Sequence, residues 1–143
     1  MFLKQISVFV ENKVGRLAKV TKILGENGID ISALSIADTA NFGILRMIVN
    51  DPDKALRVIK DAGLAAKTTE VLAVEVPDRP GGLVPVLEIF QKHNISIEYL
   101  YSFVKRTLDS AYILFKVDDI QRAAEALQRE NINVLTEQEV NGL

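Results

Sequence analysis

Two short segments of this chain put side chains and glycines where they can do chemistry: Glu11-Asn12-Lys13-Val14-Gly15-Arg16-Leu17 and Pro77-Asp78-Arg79-Pro80-Gly81-Gly82-Leu83. Each sets a polar side chain, then a glycine, at the mouth of a run with helical spacing. The first N–H groups of a helix lack internal partners and carry partial positive charge. A glycine there lets a small anion approach them without meeting a Cβ. A carboxylate suits the place, and Asn12 or Asp78 can accept a hydrogen bond from a neighbouring ammonium. The same residues also read structurally, with Asn12 and Asp78 as helix caps and the glycines as plain turns. Spacing alone leaves both readings open.

Other reactive residue types are scarce. The absence of cysteine excludes disulfides, thiolate metal sites, iron–sulfur clusters and cysteine nucleophiles. The single histidine, His93, leaves no multi-histidine metal site, and it reads as a polar residue ending a helix. Neither a metal nor a cofactor is expected. Asp51, Asp53, Asp118 and Asp119 sit where helices should start, and capping explains them better than a carboxylate pair. Tyr99 and Tyr101 share a strand face with Ile97, a packing pattern. Lys105-Arg106 is too small a basic cluster for a phosphate groove. Seventeen Lys and Arg against nineteen Asp and Glu give a net charge of −2, so neither nucleic acid nor an anionic membrane is an expected partner. No uncharged apolar run approaches the roughly 18–20 residues that cross a bilayer. Lys4 and Glu11 break the N-terminal hydrophobic stretch, which argues against a signal peptide. A cytoplasmic protein is expected.

The chain is written twice. A shift of 66 residues lays Val8 on Val74, Val10 on Val76, Gly15 on Gly81, Leu17 on Leu83, Ile31 on Ile97 and Leu34 on Leu100. A shift of 68 then lays Val49 on Val117, Asp51 on Asp119 and Ala55 on Ala123. The change of register falls between Ala37–Asn41 and Val104–Asp109, where a hairpin loop absorbs it.

Within each copy the hydrophobic period switches in a readable order. Ile6, Val8 and Val10 alternate as a strand; Leu17, Val20 and Leu24 recur at helical spacing until Glu26-Asn27-Gly28. Strands follow over Ile29–Ala37 and Phe42–Val49. Asn50-Asp51-Pro52-Asp53 starts a second helix, with a buried stripe of Ala55, Val58, Ile59 and Ala62 and a stop at Gly63. Lys67–Val71 is a fourth strand. The second copy repeats this as strand Leu72–Val76, helix Leu83–His93, strands Ile95–Phe103 and Ala111–Val117, helix Ile120–Asn131 and strand Val134–Glu139. The fold class is therefore α+β: two tandem ferredoxin-like βαββαβ units, residues 1–71 and 72–143, each a four-stranded antiparallel sheet with two helices on one face. The other face needs a cover, because some of Phe9, Leu45, Met47, Val49, Leu100, Ile113, Phe115 and Val117 must point away from the helices. Units this small bury only ~60% of their unfolded surface. The copies are expected to pack on one another or on a second chain, which favours a homodimer.

Asp78-Arg79-Pro80-Gly81-Gly82-Leu83, at the first strand–helix junction, resembles the D-R-P-G-x-L motif of ACT domains. Asn12-Lys13-Val14-Gly15-Arg16-Leu17 is a variant, with Asn for Asp and Val for Pro. Asn27-Gly28-Ile29-Asp30-Ile31 and Asn94-Ile95-Ser96-Ile97 look similar to the same family. The resemblance covers the whole chain as two ACT domains without a catalytic domain. It implies a regulatory module that binds an amino acid at an interface between ACT domains, beside this loop. Carried over, it implicates Asn12, Val14, Gly15, Arg16 and Leu17 in the first copy and Asp78, Arg79, Pro80, Gly81, Gly82 and Leu83 in the second. The facing second strands would supply the other wall: Ile31, Ser32, Ala33 and Leu34, and Ile97, Glu98, Tyr99 and Leu100. The loops are expected to have diverged, one binding ligand and the other mainly shaping the interface, since Asn12 can donate to a carboxylate where Asp78 suits an ammonium. The more complete motif favours the second.

Fold does not decide function. RNA-recognition modules share this topology, but only fragments of their aromatic signature occur in Phe42–Val49 and Ala111–Val117. An isomerase or mutase needs a polar constellation across the open sheet face, where mostly aliphatic residues lie. No catalytic residue is therefore assigned. The main alternative is a regulatory or structural subunit that binds no ligand and acts by contact with an amino-acid metabolic enzyme.

Overall fold

The computed structural model describes residues 2–38 and 41–143. The chain runs β1 (Leu3–Glu11), α1 (Arg16–Glu26), β2 (Ile31–Asp38), β3 (Phe42–Val49), α2 (Pro52–Asp61), β4 (Ala65–Pro77), α3 (Val84–Lys92), β5 (Ile97–Ser102), β6 (Ser110–Val117), α4 (Ile120–Arg129) and α5 (Glu137–Asn141). It forms two compact units, Lys4–Thr69 and Glu70–Leu143, the latter including residues 2–3. The strands expected over Lys67–Val71 and Leu72–Val76 are one strand, β4. The loop expected over Ala37–Asn41 contains Thr39 and Ala40, which lie outside the described residues.

In the first unit the strand order is β2-β3-β1-β4. β1 and β3 are antiparallel, with Ile6 opposite Met47 and Val8 opposite Leu45. Alternation sends Ile6, Val8 and Val10 to one face, where they meet Val20 and Leu24 of α1 and Ala55 and Ile59 of α2. Both helices thus lie on one face. Leu17 stays 42% exposed, and Ala62 closes α2 at the surface instead of extending its buried stripe.

In the second unit β6 lies between β4 and β5. Leu72, Val74 and Val76 pack with Val86, Ile89 and Phe90 of α3 and with Ala123 and Leu127 of α4. Phe90 meets Phe115 edge to face, with centroids 5.3 Å apart, the arrangement aromatic quadrupoles favour. One expected element differs. Val134–Glu139 is not a strand: Val134 makes a single bridge to Val74, with Glu75 N donating to Asn133 O and Leu135 N to Ala73 O. Thr136 then starts α5 through a reciprocal capping box with Glu139. Local capping wins over strand pairing after a single bridge.

The duplication extends to single hydrogen bonds. Asp30 N donates to Asn50 Oδ1 at 2.9 Å, and Ser96 N to Asp118 Oδ1 at 3.1 Å. Asp51 caps α2 on Lys54 N, and Asp119 caps α4 on Arg122 N, both at 3.2 Å. After α1 and α3 the chain turns through positive φ at Gly28 (70°) and Asn94 (55°); after α2 and α4, at Gly63 (84°) and Asn131 (60°). Asn is the side chain best able to stand in for glycine there.

Because the two caps are geometrically equivalent, Asp51→Ala and Asp119→Ala should each lower stability by about 1 kcal/mol in urea denaturation. A neutral result for either would show that its carboxylate does not hold the start of that helix.

Candidate functional site

In the first copy the site begins where β1 releases its last residue. Glu11 still pairs with Phe42, and Asn12 N donates to Asn41 O at 3.2 Å, tying the loop to the start of β3. Lys13 Nζ lies 2.9 Å from Glu11 Oε2, with Arg16 at 3.9 Å. The hydrogen bond from Lys13, then its charge and that of Arg16, hold the Glu11 carboxyl below its ordinary pKa; desolvation opposes them weakly. Gly15 bends the chain at φ 86° as the residue before α1, and a Cβ there would meet open space. Its backbone angle, not crowding, calls for glycine. No side chain caps α1, and Asn12, Val14 and Leu17 are exposed.

The second copy repeats the frame and changes the details. Asp78 N donates to Asp109 O at 3.0 Å, the counterpart of the Asn12 tie. Gly81 bends at φ 77° with open space around it. Gly82 is different: its Cβ would stand 2.0 Å from Pro77 O, so this loop folds back on the end of β4. α3 consequently begins at Val84, with Leu83 before it and no side-chain cap. Arg79 and Pro80 are exposed, Gly82 is buried and Leu83 packs partly on the core. Asp78 Oδ2 accepts from Arg106 Nη1 at 3.1 Å. Asn12 and Asp78 are therefore not the helix caps their positions allowed.

The strand residues lie elsewhere in each unit. Ile31 pairs with Val49, the last residue of β3, whereas the loop's Glu11 pairs with Phe42, the first. Ile31–Leu34 therefore occupy the end of the sheet opposite their own loop. Ser32 and Ala33 are buried and Leu34 is 44% exposed. In the second copy Ile97 pairs with Val117, Glu98 bonds Lys116 at 2.7 Å, the rings of Tyr99 and Tyr101 stack at 6.4 Å, and Leu100 is 41% exposed. Both second strands are bulged at matching places, Ile31/Ala33 and Ile97/Tyr99. His93 ends α3, and its carbonyl accepts from Arg122.

Two cavities flank the first loop. One, of about 310 Å³, is lined by Glu11, Asn12, Lys13, Asn41 and Phe42. The other, of about 210 Å³, lies among Phe9, Glu11, Arg16, Lys19, Phe42 and Leu64. Sequence reasoning does not reach Arg106, Lys19 or Phe42 as site residues; Arg106 stands 28 residues from Asp78, beyond any local pattern. Among the described residues no helix is long and apolar enough to cross a membrane, and no group of three His, Asp or Glu could hold a metal.

Known proteins share this fold. The family described as ACT domain pair matches residues 1–143. The crystal structure of protein BT0572 from Bacteroides thetaiotaomicron is 38% identical over 100% of this chain and 98% of its own, with a TM-score of 0.94. The regulatory subunit of aspartate kinase from Thermus thermophilus, in a ligand-free form, is 14% identical over 90% and 93%, with a TM-score of 0.65. Its counterpart from Thermus flavus is 16% identical over 90% of both chains, with a TM-score of 0.63. The two subunits share the fold. No curated protein matches the sequence significantly.

Two expectations follow from the loops. Gly82→Ala should cost about 2 kcal/mol or more through the clash with Pro77 O, read by urea denaturation; an unchanged midpoint would disprove the close approach. Lys13→Ala should raise the Glu11 pKa in a side-chain NMR titration. That carboxyl's small stabilising contribution is present at neutral pH and is lost as pH falls through its lowered folded value.

Proposed function

Because the chain belongs to the ACT domain pair family, we propose that it is a non-catalytic regulatory protein that binds an amino acid beside its first strand–helix loops. The observation that carries this reading is the absence of side-chain caps on α1 and α3. Asp78 is engaged by Arg106 instead of capping. Arg16 N and Val84 N donate to Lys13 O and Gly81 O and Pro85 has no N–H, so a carboxylate would meet the later opening amides of each helix. The wall formed by Ile31–Leu34 or Ile97–Leu100 stands at the far end of its own sheet. Loop and strand therefore do not meet within one unit, and in the homodimer we propose a second chain supplies the missing wall.

The two loops differ in availability. Both Asn12 and Asp78 are exposed, but Asp78 is engaged by Arg106 and must exchange that partner to receive an ammonium group. At roughly −0.5 kcal/mol per heavy atom, a nine-atom amino acid binds at about 0.5 mM. That range suits the sensing of a cytoplasmic pool.

A second reading is a regulatory subunit that works by contact with an amino-acid metabolic enzyme. Val14, Leu17, Leu34 and Ile36 are exposed apolar residues of the first copy, and they favour a protein contact.

A thermal-shift screen against the twenty amino acids separates the two readings. Ligand at a hundredfold its Kd adds about 2.7 kcal/mol, so one chemical group of amino acids should raise Tm measurably. No shift with any of them would leave only the contact role. Calorimetry on Asn12→Ala and Asp78→Ala should show unequal losses of affinity; equal losses would refute divergence of the loops.

A further inference from the structure

The 210 Å³ cavity of the first copy lies on the β4 side of its loop, between the start of α1 and the turn from α2 into β4. Phe9, Phe42 and Leu64 give it an apolar wall, and Arg16 and Lys19 give it two cations. Phe9 and Phe42 remain 38% and 54% exposed, so their rings still have surface to bury. Glu11, the acid of the lining, is already held by Lys13 and Arg16. Lys19 has no carboxylate partner among the described residues.

The duplicate copy fills the corresponding positions with different chemistry. Phe9, Phe42 and Ala65 correspond to Glu75, Ser110 and Asn133. There Glu75 accepts from Ser110 Oγ at 2.9 Å and from Asn133 Nδ2 at 3.0 Å, a polar clasp across the same three positions. The cations have no counterparts, since Arg16 corresponds to Gly82 and Lys19 to Pro85. One backbone thus carries a clasp in one copy and an aromatic, cationic cavity in the other.

We propose that the first-copy cavity binds a small carboxylic acid with an aromatic or branched apolar body and no ammonium group. Lys19 and Arg16 hold the carboxylate, and Phe9, Phe42 and Leu64 cover the body. The lining sets two cations, Arg16 and Lys19, against one acid, Glu11, which is already paired with Lys13, so an added ammonium group is disfavoured. The volume lies below the roughly 300–1,000 Å³ of drug-sized sites and sets the upper size near an aromatic amino acid. Apart from Arg16 the site is separate from the amino-acid site proposed above.

The test titrates the full chain with 3-phenylpropanoate and follows amide NMR shifts. Saturable binding near 1 mM is expected for a ligand of this size, with the largest shifts at Phe9, Lys19 and Leu64. Lys19→Ala, an exposed change, should weaken it about tenfold, and Lys19→Arg should restore most of it. The triple variant Phe9→Glu, Phe42→Ser, Ala65→Asn, which rebuilds the second copy's clasp, should abolish binding with the amide spectrum otherwise preserved. Asn12→Ala and Asp78→Ala should leave it unchanged even where they remove amino-acid binding. Unaltered affinity in Lys19→Ala or in a folded triple variant, shifts confined to 78–83, or no saturable binding would overturn the proposal. Equal binding of L-phenylalanine at the same amides would overturn the assigned ligand class.

Discussion

A chain that leaves a strand and enters a helix within a few residues must reverse direction, and each copy does so at a glycine with positive φ, 86° at Gly15 and 77° at Gly81. An ordinary L-residue in that conformation costs roughly 1–2 kcal/mol. Much of what is distinctive in the molecule depends on this bend. The bend follows a backbone tie in which Asn12 N and Asp78 N donate to Asn41 O and Asp109 O. It also takes the side chains of Asn12 and Asp78 out of capping position. Elsewhere the fold does use side-chain caps, at Asp51, Asp119 and Thr136. Their absence at these two helices is therefore local to the bend.

The copies differ far more in side chains than in main chain. Helix ends, bulges, caps and loop ties recur in register. Asn replaces Gly at two left-handed turns without disturbing them. At the loop the chemistry departs: Gly82, which tolerates no Cβ, stands where Arg16 begins a helix. Duplication of this kind preserves a positioning frame and leaves each copy's surface groups free to change. A polar clasp of Glu75, Ser110 and Asn133 satisfies its own hydrogen bonds. Phe9 and Phe42, at two of the same places, retain surface to bury.

Most of the architecture was legible because it rests on local rules. Alternation in β1, helical spacing in α2 and α4, and Asn50-Asp51-Pro52-Asp53 as a helix start all act within a few residues. The single misassigned element, Val134–Glu139, carried its own correction: Thr136 and Glu139 have capping-box spacing, a signal that outweighs weak apolar alternation. Period alone puts Leu17 and Ala62 in buried stripes, but neither is covered. At the site, the glycine bends could be read. The Asp78–Arg106 pair, the Glu98–Lys116 pair and the cavity beside Lys19 could not, because each joins residues that only the closed sheet brings together.

Energetics constrain how such a protein can regulate anything. A ligand shifts an equilibrium only by its differential affinity for two states. Driving a two-state system from 1:99 to 99:1 requires about 5.5 kcal/mol. An amino acid present even at a hundredfold its Kd shifts the equilibrium by at most about 2.7 kcal/mol, and by less where it binds both states. One such ligand therefore cannot carry a complete switch by itself. Either the regulated equilibrium lies near balance, or several sites fill together. Were both loops of a chain to bind, the duplicated bend would give the second route a structural basis.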